Sequence, residues 1–317
     1  MKARLETAPT GKSIKRERIA TAPNAGNPLP MATVSFQSHV AAGAVGNSAA
    51  AMVYQALGQS LWAIPTVLYS NHPAGRAFAG ESVAPNLLRR FADAFATNGL
   101  IDQVARVQSG YLGAPGQADA ILTLLAAARK SGRTVSYVCD PVMGDREAGL
   151  YVSTDVAAAI RDTLVPAADA VTPNLFELEY LSGAPVESTA QVWAAMRSVQ
   201  AAGPSIVVAT SVVVRESTPG HVETFLLEGD EGWSVSVPRI QCPAHGAGDV
   251  MTAAFLARMA LGDPPPRALS LAVSSVHAIL RAAGDQPDLA LHVAQSDLTS
   301  PGPVFPAVPT RLSSDAD

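Results

Sequence analysis

Between residues 32 and 295 the chain alternates short apolar runs of strand length with longer Ala- and Leu-rich segments, and this alternation restricts the fold more than any other feature. Strands are expected at Thr33–Gln37, Ala63–Leu68, Ala105–Ser109, Thr134–Cys139, Ala168–Val171 and Ile206–Thr210. Between them, helices are expected at Ser48–Leu57, Val83–Ala96, Gln117–Lys130 and Val156–Leu164, then at Leu175–Ser182 and Ala190–Ala201. Parallel strands need a crossover of helical length. The pattern therefore argues for an α/β fold, a mostly parallel central sheet with helices on both faces in a three-layer αβα sandwich. Two further runs, Glu223–Leu227 and Ser234–Val237, have no helix between them and read as an antiparallel edge. Helices near Val250–Leu261 and Pro266–Ala283 close the region, and neither a repeat nor a linker divides it. Residues 32–295 are expected to form one domain.

The flanks differ in kind. Residues 1–31 are rich in Lys, Arg, Thr, Pro and Ala without a periodic apolar pattern, and are expected to be a disordered tail. Met31 directly precedes the first strand-like run and is a candidate start of translation. Gly11-Lys12-Ser13 imitates the end of a phosphate-binding loop, but Glu6 stands where that loop needs a glycine and no strand comes before it. Residues 296–317 are Pro- and Ser-rich and are expected to form a loose end. With 48% apolar and 15% charged residues, the chain can bury a large core. A net charge of −5 excludes an electrostatic case for nucleic acid or an anionic membrane, and no apolar run is long enough to span a bilayer. Two cysteines, Cys139 and Cys242, suit buried thiols in the cytoplasm rather than a disulfide framework.

In an open parallel sheet, ligands bind beyond the carboxyl ends of the strands. The residues that follow the expected strands are accordingly the candidates. Ser38 ends the first strand, and Gly43 and Gly46 follow it; Ser70-Asn71-His72-Pro73-Ala74 follows the second, and Ser109-Gly110-Tyr111-Leu112-Gly113 the third. Asp140-Pro-Val-Met-Gly-Asp145 ends the strand that contains Tyr137, placing carboxylates where a metal-bound polyphosphate could be held. In Thr172-Pro-Asn-Leu-Phe-Glu177, Asn174 and Glu177 share a face at a helix start. That spacing serves a capping box equally well. Finally, Gly246-Ala247-Gly248-Asp249 opens an apolar helix. Its amides and positive helix end suit an anion, although Asp249 could also be an ordinary N-cap. The helix end favours an ionised Asp249 by about 0.3–1 kcal/mol, leaving a carboxylate able to receive a proton from an alcohol.

Taken in order, DPVMGD at 140–145, TPN-x-x-E at 172–177 and GAGD at 246–249 resemble the ribokinase-like kinases, and specifically the vitamin B6 kinases. The resemblance covers residues 32–295. Gln37-Ser38-His39-Val40, Ser70-Asn71-His72 and Ser109–Gly113 carry it to the pyridoxal kinase branch. It implies phosphorylation of the 5′-hydroxyl of pyridoxal by Mg-ATP, with Asp249 as catalytic base and substrate contact and Gly246, Ala247 and Gly248 as the anion hole. It also implies a vitamer pocket of Ser38, His72, Pro73, Ala74 and Tyr111. The nucleotide is expected near Asp140, Asp145, Tyr151, Thr172, Glu177, Thr210, Pro238, Arg239 and Ile240. Asp140, Asn174 and Glu177 would order Mg²⁺ largely through water; K⁺ is a second candidate ion, and a cytoplasmic homodimer is the implied assembly. Three positions depart from the pattern. His245 precedes the anion hole where relatives often carry a small or apolar residue, and is expected to be a bystander. Leu150 stands where some relatives have a cysteine, and Thr210 where close relatives have Lys. The competing readings are a hydroxymethylpyrimidine kinase, against which Gln37–Val40 and Ser70–His72 argue, and a pyridoxal carrier with little turnover.

Overall fold

The computed structural model describes residues 31–311. The tail expected over residues 1–30, including Gly11-Lys12-Ser13, lies outside the described residues, as do residues 312–317. In chain order the first half runs β1 (Ala32–Val40), α1 (Gly46–Ala56), β2 (Ser60–Tyr69), β3 (Gly80–Ser82), α2 (Pro85–Thr97), β4 (Val104–Ser109), α3 (Gly116–Lys130) and β5 (Ser136–Cys139). A small hairpin of β6 (Gly144–Asp145) and β7 (Gly149–Leu150) leads into α4 (Thr154–Ala159), a π-helical stretch (Ile160–Leu164), and α5 (Val165–Ala167). The second half runs β8 (Ala170–Val171), α6 (Leu175–Ser182), α7 (Thr189–Ala201), β9 (Ile206–Val212), β10 (His221–Glu228) and β11 (Glu231–Pro238). Helices α8 (Ala247–Ala260), α9 (Pro265–Ala283) and α10 (Gln295–Thr299) follow, and β12 (Val308–Thr310) ends the described chain.

All twelve strands but the β6–β7 pair join one ten-stranded sheet in the order β12-β11-β10-β9-β8-β5-β4-β1-β2-β3. The six strands from β9 to β2 run parallel, and β10, β11, β12 and β3 are antiparallel additions at the two ends. Central strands are apolar on both faces, as in Ile206-Val207-Val208-Ala209, because helices cover each side. One core cluster fills the side of α2, α3, α4, α6 and α7; the other lies under α1, α8 and α9. Helix α8 buries every residue from Val250 to Ala257. Its alanines let α1 and α9 pack closely against it, which accounts for an Ala-rich run with little amphipathic contrast.

The antiparallel edge expected at 223–237 is present as β10 and β11, paired from His221↔Pro238 to Glu228↔Glu231. The segment after Ser296 is a correction. Rather than a loose end, it carries part of α10 and then β12, whose residues Val308–Thr310 pair with Gly232–Ser234 of β11. Its Pro and Ser content concealed a short edge strand, and prolines are tolerated at sheet edges because one side makes no ladder bonds. The short β3, β6 and β7 also escaped the pattern, being only two or three residues long.

Strand β1 carries a register shift between Gln37 and His39. Such a bulge re-aims the side chain within it. Here that side chain is Ser38, at the rim where the carboxyl ends of β1, β2, β4, β5 and β8 meet.

Candidate active site

Two neighbouring cavities open along this rim. The first, of about 630 Å³, holds Ser38, His72, Pro73, Ala74 and Tyr111 on one wall and Asp140, Thr172, Asn174, Glu177 and Asp249 toward its floor. The second, of about 520 Å³, is bounded by Pro238, Arg239, Ile240 and Ala247. Asp145, Asn174, Thr210, Ser211 and Gly248 border both. Gly246 and Tyr151 line the first. The structure thus brings the residues expected to contact vitamer, nucleotide or metal to two adjoining cavities, while Gly43, Gly46, Ser70, Asn71, Ser109 and Gly110 line neither.

The leading end of α8 sits where the cavities join. Gly246 is its N-cap with φ 100°, and a Cβ there would run into the Ala44 carbonyl, so only glycine fits between α8 and the chain entering α1. No side chain caps the helix. Among the described residues the amides of Ala247, Gly248 and Asp249 donate to no protein acceptor, leaving three N–H groups for a ligand. Asp249 is not an ordinary cap, because its Oδ2 accepts the Gly46 N–H at 2.8 Å. Burial pushes its carboxyl up to about 6, with the Gly46 bond pulling the other way. Desolvation therefore outweighs the helix-end effect expected from sequence.

Below it, Asp140 is buried and its Oδ2 accepts from Thr252 Oγ1 at 2.9 Å; Thr252 Oγ1 is also 2.9 Å from Thr172 Oγ1. Burial, followed by the charges of Glu177 and Asp249, pushes Asp140 well above the usual carboxylate range. Glu177 completes a capping box with Asn174: Asn174 N donates to Glu177 Oε2 at 2.9 Å, and Glu177 N donates to Asn174 Oδ1 at 3.0 Å. Met143 N donates to Glu177 Oε1 at 3.0 Å, and Asn174 Nδ2 donates to the Gly144 carbonyl at 2.8 Å. The pair left open by its spacing is therefore a cap as well as part of the cavity wall. Asp145 Oδ1 accepts from Glu147 N and Ala148 N, so that carboxylate also shapes its own turn. Tyr151 also lines the first cavity, its hydroxyl raised first by burial and then by Glu177, Asp140, Asp249 and Asp145.

The first cavity has acidic lining residues and no Lys or Arg among them. Carboxyls gathered in a buried wall without a cationic side chain suit a divalent cation held through water. Among the described residues no three His, Cys, Asp or Glu groups form a direct metal cluster.

Burial raises Glu177 to about 8, against 4.5 for the free side chain. A carboxyl raised on folding favours the protonated state, so its contribution to stability falls as pH rises through the window from about 4.5 to 8. In metal-free buffer the Tm of Glu177→Gln should gain on wild type between pH 5 and 8. A constant difference across that range would show that Glu177 does not titrate there.

The wall of the first cavity that carries Ser38, His72 and Tyr111 contains an arrangement that sequence reasoning missed. His72 and His245 stack face to face, centroids 3.9 Å apart and planes at 13°. Ala74 N donates to His72 Nδ1 at 3.2 Å, and burial followed by His245 lowers the His72 pKa. The ring is thus a neutral tautomer that offers its Nε2–H. His245, expected to be a bystander to the phosphates, is in face-to-face contact with this ring, a contact that can brace it. His245→Val should raise KM for the cavity's small-molecule ligand several-fold with little change in kcat, and His245→Phe should restore it by keeping the stack; equal KM values in all three proteins would refute the bracing role. Thr252 and Ser211 were missed too. Thr252 lies one turn beyond Asp249 on α8, a spacing that could have found it. Ser211 holds φ 54° at the junction of the cavities, which no sequence signal shows.

The α/β fold with two adjoining cavities at the leading end of α8 belongs to a kinase, as comparison with known proteins shows. The family model described as phosphomethylpyrimidine kinase matches residues 63–291. Curated relatives narrow this further. The pyridoxal kinase PdxY of Deinococcus radiodurans is 36% identical over 258 residues, covering 80% of this chain and 87% of that protein. That of Rubrobacter xylanophilus is 36% identical over 276 residues, covering 86% and 95%. Among solved structures, the pyridoxal kinase of Leishmania donovani in complex with ADP and pyridoxamine superposes with a TM-score of 0.81 at 28% identity, covering 88% of this chain and 99% of that one. The chain belongs to the pyridoxal kinase family within that class.

Proposed function

We propose that this protein transfers the terminal phosphoryl group of ATP to the 5′-hydroxyl of pyridoxal, yielding pyridoxal 5′-phosphate and ADP. The observation that carries the reading is the meeting of three unengaged α8 amides and the Asp249 carboxylate at the junction of two cavities. Pyridoxal lies in the first cavity, with its ring substituents at Ser38 and the Nε2–H of His72 and its face toward Tyr111. The nucleotide lies along the second, between Thr210 and Pro238-Arg239-Ile240, and its phosphates pass Asp145, Tyr151 and Thr172. Asp249 accepts the hydroxyl proton as the vitamer oxygen bonds to phosphorus and the bond to the ADP oxygen breaks. Gly248 and Ala247 amides hold the charge on the transferring group; positioning and neutralisation supply most of the acceleration in this chemistry. Mg²⁺, bound with ATP through water on Asp140, Asn174 and Glu177, would supply the positive charge that the acidic floor lacks.

Free cysteines at 139 and 242 suit a cytoplasmic setting. The expected homodimer has a candidate seam around exposed Leu68 and Phe78, beside edge strand β3; no helix of the described residues is long and apolar enough to cross a membrane.

An ATP-coupled assay with pyridoxal, pyridoxine, pyridoxamine and hydroxymethylpyrimidine tests the reading. Turnover is expected with pyridoxal. Turnover with hydroxymethylpyrimidine alone, which the family model keeps in view, would transfer the site to that substrate, and tight vitamer binding without turnover would leave a carrier.

A further inference from the structure

Gly43 and Gly46 line neither cavity, yet the segment that carries them reaches Asp249 directly. It joins β1 to α1 and ends at the Gly46 N–H that Asp249 Oδ2 accepts. Upstream, Ala41 N and Ala42 N donate to the Tyr69 and Ser70 carbonyls at 2.9 Å, which ties that end to β2. Gly43 follows with φ 114°, a joint with wide backbone freedom. Among the described residues the amides of Gly43 and Val45 find no protein acceptor. The one engaged amide between Ala42 and Gly46 is therefore that of Ala44, which donates to Asp288 Oδ1 at 3.0 Å.

Asp288 comes from the stretch between α9 and α10, remote in sequence from the segment it holds. The residue is exposed, but its backbone is anchored. Leu289 and Leu291 are both 1% exposed and pack in the core cluster that also holds Ala44, Ala49 and Ala50. Ala290 between them has φ 49°, a left-handed conformation that a non-glycine residue keeps only where its surroundings enforce it. A single bond from an exposed carboxylate to a backbone amide adds little to global stability. What it fixes is the direction in which the chain leaves Gly43 for Gly46.

We propose that Asp288 is a positioning residue, holding Ala44 so that the Gly46 N–H stays on Asp249 Oδ2 and Oδ1 is left to take the hydroxyl proton. This rests on Asp249 being the base of the proposed phosphoryl transfer. No step passes through Asp288 itself. A carboxylate turned away from the reacting hydroxyl loses rate rather than affinity, and a displacement of about 1 Å can cost about 100-fold.

Steady-state kinetics and NMR amide exchange on wild type, Asp288→Ala and Asp288→Asn test the proposal. Asp288→Ala should lower kcat by about 10–100-fold, with KM for pyridoxal and ATP within about twofold of wild type. Its Tm should stay within about 2 °C of wild type. Asp288→Asn keeps the oxygen acceptor and should recover most of the rate. In unliganded Asp288→Ala the Gly46 N–H should exchange at least about tenfold faster than in wild type, while the amides of β9 keep their rates. Added to Asp249→Asn, Asp288→Ala should cost at most about twofold more, because the base is already gone. Unchanged kcat or unchanged Gly46 exchange in Asp288→Ala would overturn the proposal. An equal loss in Asp288→Asn would assign the effect to charge, and an undiminished loss in the Asp249→Asn background would assign it to the α8 amides; either result overturns it as well. A wild type that phosphorylates no vitamer, with the exchange difference intact, would refute the kinase reading and leave Asp288 as the residue that positions Asp249.

Discussion

Asp249→Asn should lower kcat by about 10²–10⁴-fold, the usual contribution of a positioned base, while KM for pyridoxal changes little. Asparagine preserves an oxygen for the Gly46 amide, so the junction of α1 and α8 survives and the loss reports on proton transfer. The pH profile supplies an independent check. Burial holds the Asp249 carboxyl at about 6, and the base must be ionised to work. Wild-type kcat/KM should therefore fall about tenfold per pH unit below that value, and the residual activity of Asp249→Asn should lack this limb. The shift from 3.8 to about 6 corresponds to roughly 3 kcal/mol, more than the about 0.3–1 kcal/mol a helix end provides, which is why the carboxyl rises although it sits at a positive helix terminus. An Asp249→Asn enzyme within a few-fold of wild type would remove the base from the mechanism.

The second large effect separates two neighbouring glycines. At Gly248 a Cβ would meet nothing within 4 Å, so Gly248→Val should fold with a Tm near wild type. Its side chain enters the space shared by the two cavities, and turnover should drop by at least about 10²-fold while pyridoxal still binds. Gly246 differs, because φ 100° disfavours any other residue and a Cβ would strike the Ala44 carbonyl. Gly246→Ala should cost about 1–3 kcal/mol of stability and lower the Tm before activity is considered. If Gly248→Val turned over normally, the leading end of α8 would not be holding the transferring phosphoryl group.

Much of this site was legible because its elements follow local rules. The strands Thr33–Gln37 and Ile206–Thr210 and the helices Gln117–Lys130 and Leu175–Ser182 carry their period in adjacent residues, and the structure extends or matches each by a few positions. Candidate residues could be found because a parallel sheet gathers its strand-end loops on one rim, so Ser38, Asp140 and Thr172 were selected by position alone. Less legible were contacts whose partners are remote in sequence. His245 meets His72 across a gap of 173 positions along the chain (245 minus 72), and Phe305 meets His277 only after α10 has turned the chain back. Neither pairing leaves a periodic trace.

The sequence by itself determined the α/β layering, the family and the residues that gather at the cleft, since periodicity, glycine placement and short motifs are properties of neighbouring positions. Tertiary structure alone decided what those residues are chemically. The depth at which Asp249, Glu177 and Asp140 are buried sets their proton affinities, and the approach of α1 to α8 directs the Asp249 carboxylate to Gly46. Desolvation and hydrogen-bond direction depend on what lies across space, which a linear pattern does not encode.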